Sequence, residues 1–218
     1  MTVQEFRQPM SETDRDTWNA RYGAGAYAAR EHPSRWLEGL FDAGVIGSCT
    51  GGLPRALDVA CGRGRNARWL AARGYAVDAV DISEVALAQA SRVAHSDASD
   101  CDPQRAGRIV WHAIDLDHGL PPELAGYDLI IVIRFLDRAL FPRLVERLRP
   151  GGWLCAEVHR ETDAAVIGPS RGRFRAGQDE LPGLFPGLQV RAHEEGLFDD
   201  PDRRPVALAR VAGQRLSS

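Results

Sequence analysis

The stretch LDVACGRGRNARWL, Leu57 to Leu70, sets Asp58 just ahead of a G-x-G-x-x-A pattern made by Gly62, Gly64 and Ala67. An apolar strand that breaks into glycines and resumes as a helix gives a ligand two things. One is backbone it can approach closely, the other the unpaired N–H groups of a helix start. Asp81 closes the next strand-like run, YAVDAVD, and is followed by Ile82 and Ser83. A carboxylate there can accept hydrogen bonds from both hydroxyls of a ribose. Any adenosine ligand satisfies that, so Asp81 alone does not separate a dinucleotide from other nucleoside ligands. Asp58 does. It puts a negative charge where a dinucleotide site keeps an apolar strand residue; a pyrophosphate is repelled there and a cationic amino-acid moiety is tolerated.

A second set of reactive side chains falls further along. Arg134 follows the fourth strand-like run and faces the same end of the sheet as the glycine loop. His159 follows the fifth, as a base or as a supporting or surface histidine. GPSRGRFRAG carries Arg171, Arg173 and Arg175 at alternate positions. In an extended chain the three share one face and draw in an anion; the other reading is a solvated edge. Cys49, Cys61, Cys101 and Cys155 are scattered, with no C-x-x-C, and the other histidines show no ligand spacing. No metal site or disulfide framework is expected, and a reducing cytoplasm is the simplest location.

The elements that position these residues read as one α/β domain. Its 218 residues suffice for a full core, and a net charge of -3 announces no polyanion-binding surface. The longest strongly apolar run, LIIVI, is too short to span a bilayer, and the N-terminus has no signal-peptide core. Residues 1–50 read as a helical cap, with helices in SETDRDTWNARYGAG and, behind Ser34, in HPSRWLEGLFDAGV. Residues 54–160 alternate strands (56–60, 76–80, 109–113, 127–133, 153–158) with helices (66–73, 84–95, 139–148). LRPGGWL reads as a tight helix-to-strand turn, and 96–107 as a polar surface loop. Residues 161–218 hold a loop over 162–177, a candidate mobile lid on the acceptor side, and two strand-like stretches that pair antiparallel.

Together these residues resemble the class I S-adenosylmethionine-dependent methyltransferases. Asp58-Val-Ala-Cys-Gly-Arg-Gly, with Ala60 and Cys61 inside it, is similar to their first motif and Asp81 to their second. HAIDL sets Asp115, with Leu116 beside it, where the family contacts adenine; YDLIIVIRFL and LRPGGWL are similar to the later motifs. Ala60 departs from the family's glycine, which is acceptable if that residue has negative φ. From about Trp18 to Arg210, and most closely in GRGRNARWLAARGYAVDAVD, WNARYGAG and the 173–196 tail, the chain resembles the tellurite-resistance (TehB-like) small-molecule methyltransferases. RFLDR departs from relatives that carry an aromatic residue or histidine there.

The resemblance implies a Rossmann-like, doubly wound, seven-stranded, mostly parallel sheet with a C-terminal antiparallel hairpin. It implies S-adenosylmethionine as cofactor and metal-independent transfer to a small molecule, such as a thiol or an oxyanion like tellurite. Gly62 and Gly64 would admit the methionine part, Asp58 would order the loop and favour the amino group, and Asp81 would hold the ribose. Trp18 is a cover or a core anchor, Arg21 suits the cofactor's carboxylate, Asn66 holds the loop or caps its helix, and Asp115 flanks adenine or caps a turn. His159 and Arg134 are the catalytic candidates. A flipped-base motif is absent, so no nucleic-acid partner is expected, nor a membrane; a monomer and a homodimer remain open. The alternatives are an NAD-dependent oxidoreductase and a catalytically inactive cofactor-binding protein.

Overall fold

The computed structural model describes residues 12–46, 53–97, 107–170, 172–199 and 204–216. Seven strands form one sheet: β1 Arg55–Val59, β2 Ala76–Asp81, β3 Ile109–Ala113, β4 Tyr127–Ile133, β5 Leu148–His159, β6 Leu188–Asp199 and β7 Pro205–Arg215. Their spatial order is β3-β2-β1-β4-β5-β7-β6. β1 to β5 pair in parallel, while β7 runs antiparallel between β5 and β6. The order reverses at β1, which puts the loops after β1 and β4 at the switch point where open sheets bind ligands.

Among the described residues, six α-helices flank the sheet: α1 Glu12–Gly23, α2 Arg35–Asp42, α3 Arg65–Ala72, α4 Glu84–Asp97, α5 Phe141–Arg147 and α6 Glu180–Gly183. Alternate residues of the central strands feed two hydrophobic layers. Leu57, Val59, Ile130 and Val132 pack with α5 and α6 through Phe141, Leu144 and Leu181, with Phe185 just after α6 beside them. Ala56, Leu129 and Ile131 pack with α2 and α3 through Leu37, Leu40 and Leu70. All seven residues of β4 are buried, as its unbroken apolar run requires. Asp58 alternates with Leu57 and Val59, so it lies on the α3 face, under the start of that helix.

β3 and β4 have the expected limits. α2 starts behind Ser34, whose hydroxyl accepts the Leu37 N–H. LRPGGWL differs from expectation. It is not a turn but the bulged start of β5, where Leu148 pairs with Tyr127 and the register then jumps to Trp153 against Leu129. A Cβ at Gly152 would lie 2.8 Å from the Tyr127 carbonyl oxygen, so glycine lets the bulge lie against β4. Arg173 and Arg175 do not continue an extended strand, because Gly172–Phe174 is a 3-10 turn. Arg171, Cys49, Cys101 and most of the 96–107 loop lie outside the described residues. Among those described, no helix is long and apolar enough to cross a membrane.

Candidate functional site

After β1 the chain takes left-handed conformations at Ala60 (φ 55°), Gly62 (φ 54°) and Gly64 (φ 69°) before α3 begins. Positive φ at Ala60 corrects the expectation of negative φ, and an alanine there carries about 1–2 kcal/mol of strain. Backbone bonds hold the loop: the Cys61 N–H donates to Val80 O (2.9 Å) and the Gly64 N–H to Cys61 O (3.0 Å). The two glycines differ in purpose. A Cβ at Gly62 would lie 2.6 Å from Tyr22 Oη. At Gly64 it would lie 2.4 Å from the Trp111 ring and 3.2 Å from Ala90 Cβ. Gly64 therefore serves packing against β3 and α4, not ligand approach.

The carboxylates have exchanged one expected role. Asp81 orders the loop: Oδ2 accepts the Gly62 N–H (2.7 Å) and Oδ1 the Ser83 N–H (2.9 Å). Burial still pushes its carboxyl up, against those amides and that of Ile82. Asp58 is 1% exposed, and among the described residues no side chain donates a hydrogen bond to either of its oxygens. Burial pushes it up to about 7, with the Arg65 guanidinium and the Ala67 N–H acting in the other direction. A buried carboxylate with no partner is costly; an ammonium group placed beside it removes that cost. Cys61 is no nucleophile, since burial, Asp58 and Asp81 all push its thiol well up.

The N-terminal helix is fastened over this loop. Asn19 Oδ1 accepts from Ser83 Oγ (2.7 Å) and from the Val85 N–H (3.3 Å), at the start of α4. Gln89 Nε2 donates to Tyr22 O (3.2 Å). Trp18, Tyr22 and Tyr27 follow one another with ring centroids 5.9 Å apart at each step, and the Arg21 guanidinium lies 5.0 Å over Trp18. Tyr22, buried with its hydroxyl over Gly62, is the residue sequence reasoning missed. Its signal was the i, i+4 spacing from Trp18.

Other expected residues serve the frame. Asn66 is buried and its Oδ1 accepts the Ser34 N–H (2.9 Å), tying α3 to α2 rather than to the loop. Asp115 accepts the Asp117 N–H (3.0 Å) and caps a 3-10 turn, and Leu116 is part of the core. Ile82 and Ser83 are both buried beside Asp81.

The ends of β4 and β5 carry the opposite charge. Arg134 has φ 67° and donates through Nε to Glu157 Oε1 (3.1 Å), while Arg210 Nε donates to Oε2 (2.8 Å) of the same buried carboxylate. Burial, then Arg134, Arg175 and Arg30, lower the His159 imidazole to about 3. The imidazole is therefore neutral near pH 7 in the chain alone and a weak base there. Arg175 donates from Nε to Pro169 O and from Nη1 to Arg160 O, both at 2.8 Å, and so ties down the 162–177 loop. Arg173 is exposed, over the Phe174 ring. Asp179, His193 and Glu195 bring ligand-type atoms within 4.8 Å of one another. The Glu195 carboxylate is already engaged by Arg160 (3.1 Å) and His193 (3.3 Å).

Residues 56–152 match the family model described as a methyltransferase domain. Hemagglutinin 1 of Eikenella corrodens is 30% identical over 169 residues, 72% of this chain and 52% of its own. The chain thus spans about half the length of that curated relative. Among solved structures, TehB from Haemophilus influenzae superposes with a TM-score of 0.62 at 21% identity, over 89% of this chain and 66% of that one. Phosphoethanolamine N-methyltransferase 2 of Haemonchus contortus, solved with S-adenosyl-L-methionine, gives 0.64 at 15% identity, over 93% and 60%. Both likenesses are of fold.

Proposed function

We propose that this chain, whose residues 56–152 belong to the methyltransferase-domain family and whose sheet has the class I arrangement, moves a methyl group from S-adenosylmethionine to a small-molecule acceptor. The observation that carries this reading is Asp58, a buried carboxylate that no side chain pairs with, beneath the glycine loop. It fits the ammonium of a methionine moiety and opposes a pyrophosphate, which disfavours the nicotinamide alternative.

The bound cofactor supplies the electrophilic sulfonium methyl. The chain's task is to align, to exclude water and to leave protons where they are. Asp58 pairs with the ammonium. Asp81, whose oxygens each retain a lone pair beyond the Gly62 and Ser83 amides, takes the ribose hydroxyls. Tyr22 and Trp18 cover the loop and keep its ligand dry. With His159 held so weakly basic, the favoured acceptor is one that needs no proton removed by the protein: an oxyanion such as tellurite, or a thiol that arrives ionised.

Calorimetric titration with S-adenosylmethionine, S-adenosylhomocysteine and NADH tests this. Micromolar binding of both adenosyl compounds, weakened in Asp58→Asn, is expected. Binding of NADH in their place sinks the reading; binding without turnover on any oxyanion or thiol leaves a cofactor-binding protein instead.

A further inference from the structure

Beneath the glycine loop the fold closes over a carboxyl group and gives it little in return. Asp58 is 1% exposed, and among the described residues no side chain donates to its oxygens. Its neighbours in strand register, Ala79 of β2 and Ile131 of β4, are both apolar. Four polar groups bear on it from the elements around it. The Arg65 guanidinium and the Ala67 N–H come from α3, the Cys61 thiol from the loop and the Asp81 carboxylate from the end of β2. Arg65 is the one cation in that set, and its Nη1 donates outward to His32 O (2.8 Å), an exposed contact. Asp81 is itself buried and takes the Gly62 and Ser83 amides, which Asp58 therefore does not have.

A carboxyl removed from water, beside a second acid and with no paired side chain, favours its protonated form. Burial pushes Asp58 up to about 7, so in the ligand-free chain near neutrality the group is divided between acid and carboxylate. An ammonium brought into contact reverses that balance, because an opposite charge favours the ionised form. The step balances simply. The Asp58 carboxyl becomes a carboxylate, its proton passes to solvent, and the ligand enters still as an ammonium, before any methyl group moves. Cys61 is not the source of the proton, since its thiol is pushed well up. Asp81 is pushed up as well, but it faces the amides at the ribose end of the site.

We propose that Asp58 couples cofactor binding to the release of a proton: the empty loop rests on a protonated Asp58, and the methionine ammonium of the adenosyl ligand displaces that proton. The identity of the ligand rests on the methyl-transfer reading. The sign follows from the raised value in the free chain. Below it, binding must first remove a proton, and each unit of pH lost weakens binding by up to about tenfold. Above it, the dependence levels off. Mild acidification therefore unloads the cofactor without any second ligand, a form of control set by one buried side chain.

The test is calorimetric titration of the full chain with S-adenosylhomocysteine at about pH 6, 7 and 8, each in two buffers of different ionisation enthalpy, so that the difference in heat counts protons. Release of about half a proton at pH 7, and binding about tenfold tighter at pH 8 than at pH 6, are expected. Methylthioadenosine keeps the ribose and lacks the ammonium; its binding should release no proton and should not change with pH. Asp58→Asn should bind S-adenosylhomocysteine more weakly at pH 8, with a flat pH profile and no proton release. The proton count in the unsubstituted protein decides the matter even if that variant does not fold. Binding of S-adenosylhomocysteine without proton release overturns the proposal and leaves the cofactor reading standing. Equal release on binding methylthioadenosine also overturns it, and assigns the proton to Asp81. No binding of S-adenosylhomocysteine at any of the three pH values overturns both.

Discussion

The ends of β1 and β2 hold buried acids with too few cations; the ends of β4 and β5 hold cations crowded around a neutral base. Asp58 is raised to about 7 and His159 is lowered to about 3. Burial is the leading cause in both, and in both the neutral form is favoured. The lesson is that burial sets the protonation state at both ends of the sheet, whatever the sign of the charges nearby.

The largest break falls on the cationic side. Glu157→Gln leaves Arg134 and Arg210 without their shared carboxylate and should destabilise the fold by about 3 kcal/mol or more in chemical denaturation. A loss under about 1 kcal/mol would mean that Glu157 does not hold that cluster. The acidic side breaks next, at its glycines. Gly64→Ala should cost about 2 kcal/mol through positive φ and the Trp111 contact. Gly62→Ala should instead weaken adenosyl-ligand binding, and Tyr22→Phe, which removes the clashing Oη, should restore part of it. Restoration of Gly64→Ala by the same change would show the two glycines to be equivalent after all.

Acid–base behaviour sharpens the contrast, because the two groups have opposite signs. The folded value of Asp58 lies above its ordinary 3.8, so its contribution to stability is full below about pH 4 and is lost as pH rises through about 7. Asp58→Asn should therefore stabilise the ligand-free chain at pH 8 while weakening S-adenosylmethionine binding about tenfold. The folded value of His159 lies below its ordinary 6.5. Its contribution is full above about pH 6.5 and declines as pH falls toward about 3. His159→Gln should flatten the acid limb of a thermal-stability profile; an unchanged limb would mean the imidazole is not held neutral. The smallest effect belongs to the shared segment: Asn19→Ala removes the side-chain acceptor at the start of α4 and should cost about 1 kcal/mol in a denaturant melt.

Much of the frame was legible because it depends on local pattern. The unbroken apolar run of β4 announced a central strand, Ser34 announced α2, and the helix-free tail announced the antiparallel pair. The bulge at LRPGGWL was not, since a helix-to-strand turn and a strand with inserted residues both call for glycine and proline. In the site, motif spacing located Asp58, Asp81, Gly62 and Gly64 but not their division of labour. Loop ordering went to Asp81 because its oxygens reach the Gly62 and Ser83 amides, and Asp58 was left with none. Tyr22 and Asn19 escaped notice because their partners lie about 40 and 64 residues away.

By itself the sequence determined the α/β alternation, the glycine loop at the switch point and the two acids beside it, because strand and helix periods and turn chemistry act over a few residues. Only the tertiary structure decided that Gly62 lies under Tyr22 while Gly64 packs on Trp111, that Asp81 rather than Asp58 takes the loop amides, and that His159 is buried beside Gly168 and Arg175. Those depend on where the Cβ of one residue points relative to a side chain far along the chain. They depend too on how much water remains around a charge once the layers close.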